Sequence, residues 1–82
     1  MMRFFFHATD GFDVVFDTEG QRLLGRPMAA VAYEVAASVR GLFGPEADYA
    51  DWIIAIQDEH ACQVETYGFE ELEREAEVLV AA

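Results

Sequence analysis

Basic residues are scarce in this sequence, and lysine is absent. Five arginines stand against 16 acidic residues in a chain of 82, and the formal net charge is −11. Binding to the phosphate backbone of nucleic acids requires a dense basic surface, so we expect no nucleic-acid partner. The same imbalance favours either a surface kept acidic for solvation or a surface that attracts a basic protein.

Cysteine is nearly absent as well, and Cys62 is the single one in the sequence. A lone cysteine forms no internal disulfide, which argues against a stapled secreted scaffold and favours a reducing cytoplasm. The apolar start of the chain soon meets Asp10 and is followed by no small-residue cleavage site, so no signal peptide is expected. The longest apolar stretch, residues 28–43, is interrupted by Glu34 and Arg40, so no membrane segment is expected.

Apolar residues are abundant by contrast. Hydrophobic residues make up 54% of the chain and aromatic residues 13%. These fractions exceed what a charge-driven disordered chain carries, so they predict a folded core beneath an acidic surface. The length predicts one small domain over residues 1–82.

The N-terminal segment has the pattern of a β-hairpin. Residues 3–7 predict a first strand, and Asp10-Gly11 is a pair typical of a turn. The following strand is expected to carry one apolar face: Phe12, Val14 and Phe16. That arrangement places Phe5 and Val15 on the outer face of the sheet.

A helix is predicted to begin near Pro27 and to end at about Phe43, before Gly44-Pro45. One arc is expected to face the sheet: Met28, Val31, Val35, Val39 and Leu42. The opposite arc has few charges for a solvated helix: Ala29, Ala30, Tyr33, Ala37, Arg40 and Gly41. We therefore expect this helix to be covered on both sides, either by a second helix of the chain or by a partner.

The second half of the chain has the pattern strand, strand, helix. Residues 52–57 predict a strand that is apolar on both faces and therefore central, and residues 62–67 predict an amphipathic strand nearer an edge. From Phe69 a last helix is expected to bury one stripe: Leu72, Ala76, Leu79 and Val80. The predicted fold is α+β, strand-strand-helix-strand-strand-helix, with one four-stranded antiparallel sheet in the order 2-1-3-4 packed on a helix.

A set of short motifs is spread along the chain. It opens with Met-x-Arg-Phe-Phe-Phe-His7 and continues with Asp10-Gly11, Asp17-x-Glu19-Gly20 and Trp52-x-Ile54-x-Ile56. Over residues 1–70 these motifs resemble a family of short acidic bacterial domains of unknown function, found mostly in rhizobia and related alphaproteobacteria. The resemblance implies the same order of elements and a cytoplasmic location, and it implies no catalytic residue. That family usually has a glycine in the second hairpin turn, where this chain has His60-Ala61, and more charges on its helix.

His60 and Cys62, with Asp58 or Glu59, are residue types that bind zinc. A zinc site needs three or four converging ligands, and this chain has one cysteine, so we favour a hairpin turn with a half-buried cysteine. A nucleophilic Cys62 with His7 or His60 as its base is a weaker hypothesis, because no recognisable motif surrounds the cysteine.

The acidic residues of the first hairpin are a candidate calcium site: Asp10, Asp13, Asp17 and Glu19. Their spacing does not match the EF-hand loop. Asp10 is better explained as a turn residue, and Asp13 and Asp17 as the solvent side of an amphipathic strand. His7 is expected to donate to a nearby carboxylate. We therefore predict no metal, no cofactor and no enzymatic activity.

The chain has more apolar residues than one small sheet can bury, which predicts a small non-enzymatic interaction module. We expect it to self-associate, as a homodimer, through the first helix or an open sheet edge. The expected interface residues are Ala29, Ala30, Tyr33, Ala37, Gly41, Phe5 and Val15. The alternative is an acidic inhibitor or antitoxin-like protein that binds a basic protein through the glutamates of the last helix and the loop 46–51.

Overall fold

The structure is a computed structural model that describes residues 2–81, with side chains as far as residue 76. It confirms an α+β fold with the predicted order of elements. The elements are β1 (Phe5–Thr9), β2 (Val14–Val15), α1 (Met28–Phe43), β3 (Ile53–Gln57), β4 (Gln63–Gly68) and α2 (Phe69–Ala81). Leu79 and Val80 of the predicted stripe lie outside the described side chains. Within the described range, neither helix has the length and hydropathy needed to cross a membrane.

The four strands form one antiparallel sheet in the order β2-β1-β3-β4, as predicted. β3 is central because both of its faces are apolar. Ile54 and Ile56 are fully buried on one face, while Ile53 and Ala55 are half-buried on the other. The more polar β4 lies at an edge, where one of its sides can remain solvated.

The core lies on one face of this sheet, and both helices pack there. Phe6, Ala8, Ile54 and Ile56 are at most 1% exposed on that face. The helices contribute Val31, Ala32, Ala36, Val39, Phe69 and Leu72 to the same cluster. The molecule therefore has two layers and measures 35 × 35 × 17 Å, and in the described chain the opposite face of the sheet carries no helix.

The inward arc of α1 differs from the prediction in part. Leu42, predicted to face the sheet, is 72% exposed, whereas Ala32 and Ala36 are buried. The reason is that α2 lies beside α1, so the buried arc is displaced towards α2, and alanines allow the two helices to approach closely. The other predicted residues contact or belong to the core: Met28, Val31, Val35 and Val39.

The first hairpin also differs from the prediction. Val14 pairs with Thr9 and Val15 pairs with Ala8, and directly paired residues lie on the same face. Val15 therefore packs against the core, and its predicted place on the outer face is wrong. The residues expected to form the buried face are exposed instead: Phe12 (94%), Val14 (46%) and Phe16 (70%). Alternation identified the two sides of the strand but not which one faces the helices.

Candidate interaction surfaces

The open face of the sheet is the first candidate surface. Strand pairing defines its members, because residues that pair directly point to the same side. We call it the outer sheet face, and it consists of Phe5, His7, Thr9, Val14, Ile53, Ala55, Gln57, Gln63, Thr66 and Gly68. None of these residues is Asp, Glu, Lys or Arg, although the chain has a net charge of −11. The ten paired residues of this face are therefore uncharged on an acidic molecule, and the Arg3 side chain borders them beside Phe5 and Gly20.

Aromatic rings line one side of the outer sheet face. The rings of Phe5 and His7 are stacked 6.5 Å apart, and the ring of Phe16 meets His7 edge-on at 5.6 Å. Gly20, with φ of 70°, passes so close to Phe5 that a Cβ would lie 2.9 Å from its ring. At the hairpin loop, Phe12 projects almost fully into solvent. Exposed aromatic side chains of this kind are enriched at protein interfaces.

Asp17 and His7 hold the end of β2 against β1. The N–H of Phe6 donates to Oδ2 of Asp17 (3.1 Å), and the N–H of Asp17 donates to Nδ1 of His7 (3.1 Å). Oδ1 of Asp17 accepts the N–H groups of Glu19 (3.1 Å) and Gly20 (2.9 Å). Side chains thus replace the strand ladder, which makes β2 shorter than predicted. His7 accepts a backbone N–H here, where a bond to a carboxylate was expected, so its Nδ1 carries no proton in this arrangement.

The two edges of the sheet are poorly suited to further strand pairing. β2 contributes two residues to the ladder. On β4, Val64 is skipped in the pairing with β3 as a bulge, and the N–H of Thr66 donates to the carboxylate of Glu65 (3.1 Å). Short strands, bulges and charges are features that oppose edge-to-edge pairing. The faces of the molecule are therefore better candidates than its edges.

The apolar arc of α1 is the second candidate surface. Ala30, Ala37 and Gly41 are exposed, and Tyr33 is 42% exposed. Ala29, predicted to lie on this outer arc, packs partly against the core. A groove of about 390 Å³ runs between α1 and α2, which we call the helix groove; its lining includes Ala29, Ala30, Tyr33, Leu72 and Ala76. α2 therefore covers part of the arc, which is one of the two predicted alternatives.

The helix side also carries charged contacts. Arg40 forms an ion pair with Glu73 of α2 (3.1 Å) and lies 4.5 Å from the centre of the Tyr49 ring. Arg26 pairs with Glu34 beside the helix groove (2.6 Å). The second candidate surface is thus a mixed one, with apolar residues next to exposed ion pairs.

The residues considered for zinc or nucleophilic chemistry form a turn. Oδ1 of Asp58 accepts the N–H groups of His60 (2.8 Å) and Cys62 (3.0 Å). Cys62 is exposed, so the prediction of a half-buried cysteine is wrong. Ala61 has φ of 63°, a left-handed conformation that favours glycine. In the part of the chain that the structure describes, no three His, Cys, Asp or Glu residues are grouped to hold a metal ion.

The carboxylate of Asp10 stabilises the first hairpin loop. Its Oδ1 accepts the N–H groups of Phe12 (2.9 Å) and Asp13 (2.7 Å). The hydrogen bond from Asp13, followed by that from Phe12, lowers the pKa of Asp10 below its ordinary value of 3.8. Asp10 is thus a turn residue, as we interpreted it, and the loop it stabilises carries Phe12.

Acidic residues gather at the β4 and α2 end of the molecule. Glu70, Glu71 and Glu73 are exposed on the first turns of α2. Burial raises the pKa of the Tyr67 hydroxyl, and the charges of Glu65, Glu75 and Glu71 raise it further. The local potential is therefore negative on the side of the molecule opposite β2.

Comparison with known proteins returned no relatives: no family model matches the chain, and no curated protein or solved structure is significantly similar to it. The resemblance to short bacterial domains of unknown function stays a prediction.

Proposed function

We propose that this protein is a small non-enzymatic module that self-associates. The observation that carries this proposal is the outer sheet face, an uncharged face of the sheet flanked by exposed Phe12 and Phe16. Exposed apolar patches with polar surroundings are typical of interaction sites. A cytoplasmic location belongs to the same proposal, since an exposed free thiol at Cys62 fits a reducing compartment.

The placement of the ionisable residues supports a non-enzymatic role. The carboxylate oxygens of Asp10, Asp17 and Asp58 accept hydrogen bonds from backbone N–H groups of loops and turns. Cys62 and His60 lie exposed on a hairpin turn, away from the grooves between the helices and the sheet. A nucleophile needs an adjacent base and an oriented third group, and these residues serve turn geometry instead.

Sedimentation velocity over the micromolar range tests the proposal. We expect the weight-average sedimentation coefficient to rise with protein concentration, because a patch of this size supports weak association. A chain that sediments as a monomer across the whole range contradicts self-association.

An acidic inhibitor of a basic protein is the second candidate. It is supported by the exposed glutamates at the start of α2 and by the negative surroundings of Tyr67. Such an encounter is steered by charge and weakens as salt rises. Purification of tagged protein from its source cell at low and high salt tests it: a basic partner that is retained only at low salt supports this function, and salt-independent recovery of a partner contradicts it.

A further inference from the structure

The distribution of charge separates the outer sheet face from the rest of the surface. Its ten residues include no carboxylate and no arginine, whereas α2 exposes Glu70, Glu71 and Glu73 on the helix side. Two copies of a chain with a net charge of −11 repel each other wherever acidic surfaces meet. A pair joined through the outer sheet faces keeps its acidic helices on the two far sides, where that repulsion is smallest.

The centre of this face has the composition of a sheet that packs on another sheet. It is formed by β1 and β3 and has half-buried apolar side chains such as Phe5, Ile53 and Ala55. Sheets pack face to face at about 10 Å through apolar side chains of this kind. A two-fold axis brings the same patch of both copies together, so one uncharged surface supplies both halves of the interface.

We propose that two copies of this chain associate back to back through their outer sheet faces. This inference rests on the proposed function and names its partner and its surface. The occupant is a second copy because a basic protein is attracted to the acidic helix side, and an uncharged face offers it no complementary charge. Phe12, in the hairpin loop two residues before Val14, adds an exposed aromatic ring near this contact.

The small size of the face favours a weak association. The four strands contribute 5, 2, 5 and 6 residues. At about 3.3 Å of rise per residue and about 4.8 Å between strands, they give a plane of about 300 Å² per copy. Specific interfaces of standard size bury about 800 Å² per partner, so this contact belongs to the small class. We therefore expect a dimer that dissociates in the micromolar range.

A matched pair of variants tests the surface. Val14 lies on the outer sheet face and is 46% exposed, and Tyr33 lies in the helix groove and is 42% exposed. Val14→Glu adds one carboxylate from each copy to the proposed interface, and Tyr33→Glu adds the same charge to the other candidate surface. We expect Val14→Glu to raise the dimer dissociation constant by at least about tenfold and Tyr33→Glu to change it by less than about threefold.

Phe12→Glu is a second variant, placed near the proposed interface. Phe12 lies in a loop and is 94% exposed, so its replacement leaves the fold intact even where a glutamate in β2 does not. Circular dichroism and urea unfolding of each variant identify those that remain folded. Folded Phe12→Glu is expected to weaken the dimer in the same direction as Val14→Glu.

The outcomes distinguish failure of self-association from failure of the proposed surface. If the unmodified chain is a monomer throughout, the proposed function and this inference both fail. If it dimerises and Tyr33→Glu dissociates it while the folded sheet variants do not, self-association stands and the outer sheet face is the wrong surface. A dimer weakened by the sheet variants and unaffected by Tyr33→Glu supports both.

Discussion

The two faces of the sheet are built from the same strands and differ in almost every physical property. On β3, Ile54 is fully buried under the helices, while its neighbour Ile53 is half-buried on the outer sheet face. On β1, Phe6 is 1% exposed and Phe5 borders the stacked ring of His7. Both faces are apolar at their centre, but one is covered within the chain and the other is open. Hydrophobic alternation therefore marks where side chains point, and it does not reveal what covers them.

The largest difference between the faces is expected from truncating neighbouring isoleucines. Ile54→Ala leaves a cavity under the helices and should lower the free energy of unfolding by about 2–5 kcal/mol. Ile53→Ala removes the same atoms from the open face and should cost less than about 1.5 kcal/mol in the monomer. Urea unfolding at low protein concentration measures both. Equal losses would mean that the outer face is covered, which would remove the contrast between the two faces.

A smaller effect is expected at Asp17, which secures the edge of the outer sheet face beside His7. Asp17→Ala leaves the N–H groups of Phe6 and Gly20 without their acceptor and should cost about 1–3 kcal/mol. Asp13→Ala, which removes an equal charge from an exposed side chain nearby, should stay within about 0.5 kcal/mol. Urea midpoints compare the two. Equal costs would show that the charge of Asp17, and not its hydrogen bonds, determines the loss of unfolding free energy.

The smallest expected effect concerns the loop that presents Phe12. Backbone N–H groups lower the pKa of Asp10 in the folded state, so the folded protein binds a proton there less readily than the unfolded chain does. The stabilisation is therefore complete above the ordinary value of 3.8 and is lost as the pH falls through the lowered pKa. Asp10→Asn should show a shallower loss of stability in acid.

The control for Asp10 is Asp51→Asn, a charge removal in a different exposed loop. Urea midpoints at several pH values, from neutral to acidic, give the slopes for both variants and the unmodified chain. If Asp10→Asn and the unmodified chain have the same slope, the hydrogen bonds of the loop carry no pH-dependent stability.

The strand order was predictable from the sequence, and the orientation of the first hairpin was not. Residues 52–57 are largely apolar on both faces, a pattern typical of a central strand, and β3 is central. In the first hairpin, Phe12, Val14 and Phe16 outweigh Val15 in hydrophobicity, yet Val15 faces the core. The pairing of Thr9 with Val14 decides the orientation, and that register is set by the turn between the strands, which alternation within one strand does not contain.

The candidate surface was predicted only in part for the same reason. Phe5 was identified, but Ile53 and Ala55 were assigned to the interior of a central strand and their open side was not recognised. One sequence signal was available: strands one and three contain no carboxylate on either side, in a chain rich in carboxylates. On α1, alanines gave no indication of which ones α2 would cover, because a methyl group suits both a buried and an exposed position.

The thinness of the molecule gives the proposed dimer a recognisable outline. One copy is a slab 17 Å thick and 35 Å across, so stacking two slabs about doubles the short axis and brings it close to the other two. A stacked pair is therefore nearly isometric, whereas a pair joined edge to edge remains a flat plate twice as long. Small-angle scattering distinguishes these two outlines without any substitution in the chain.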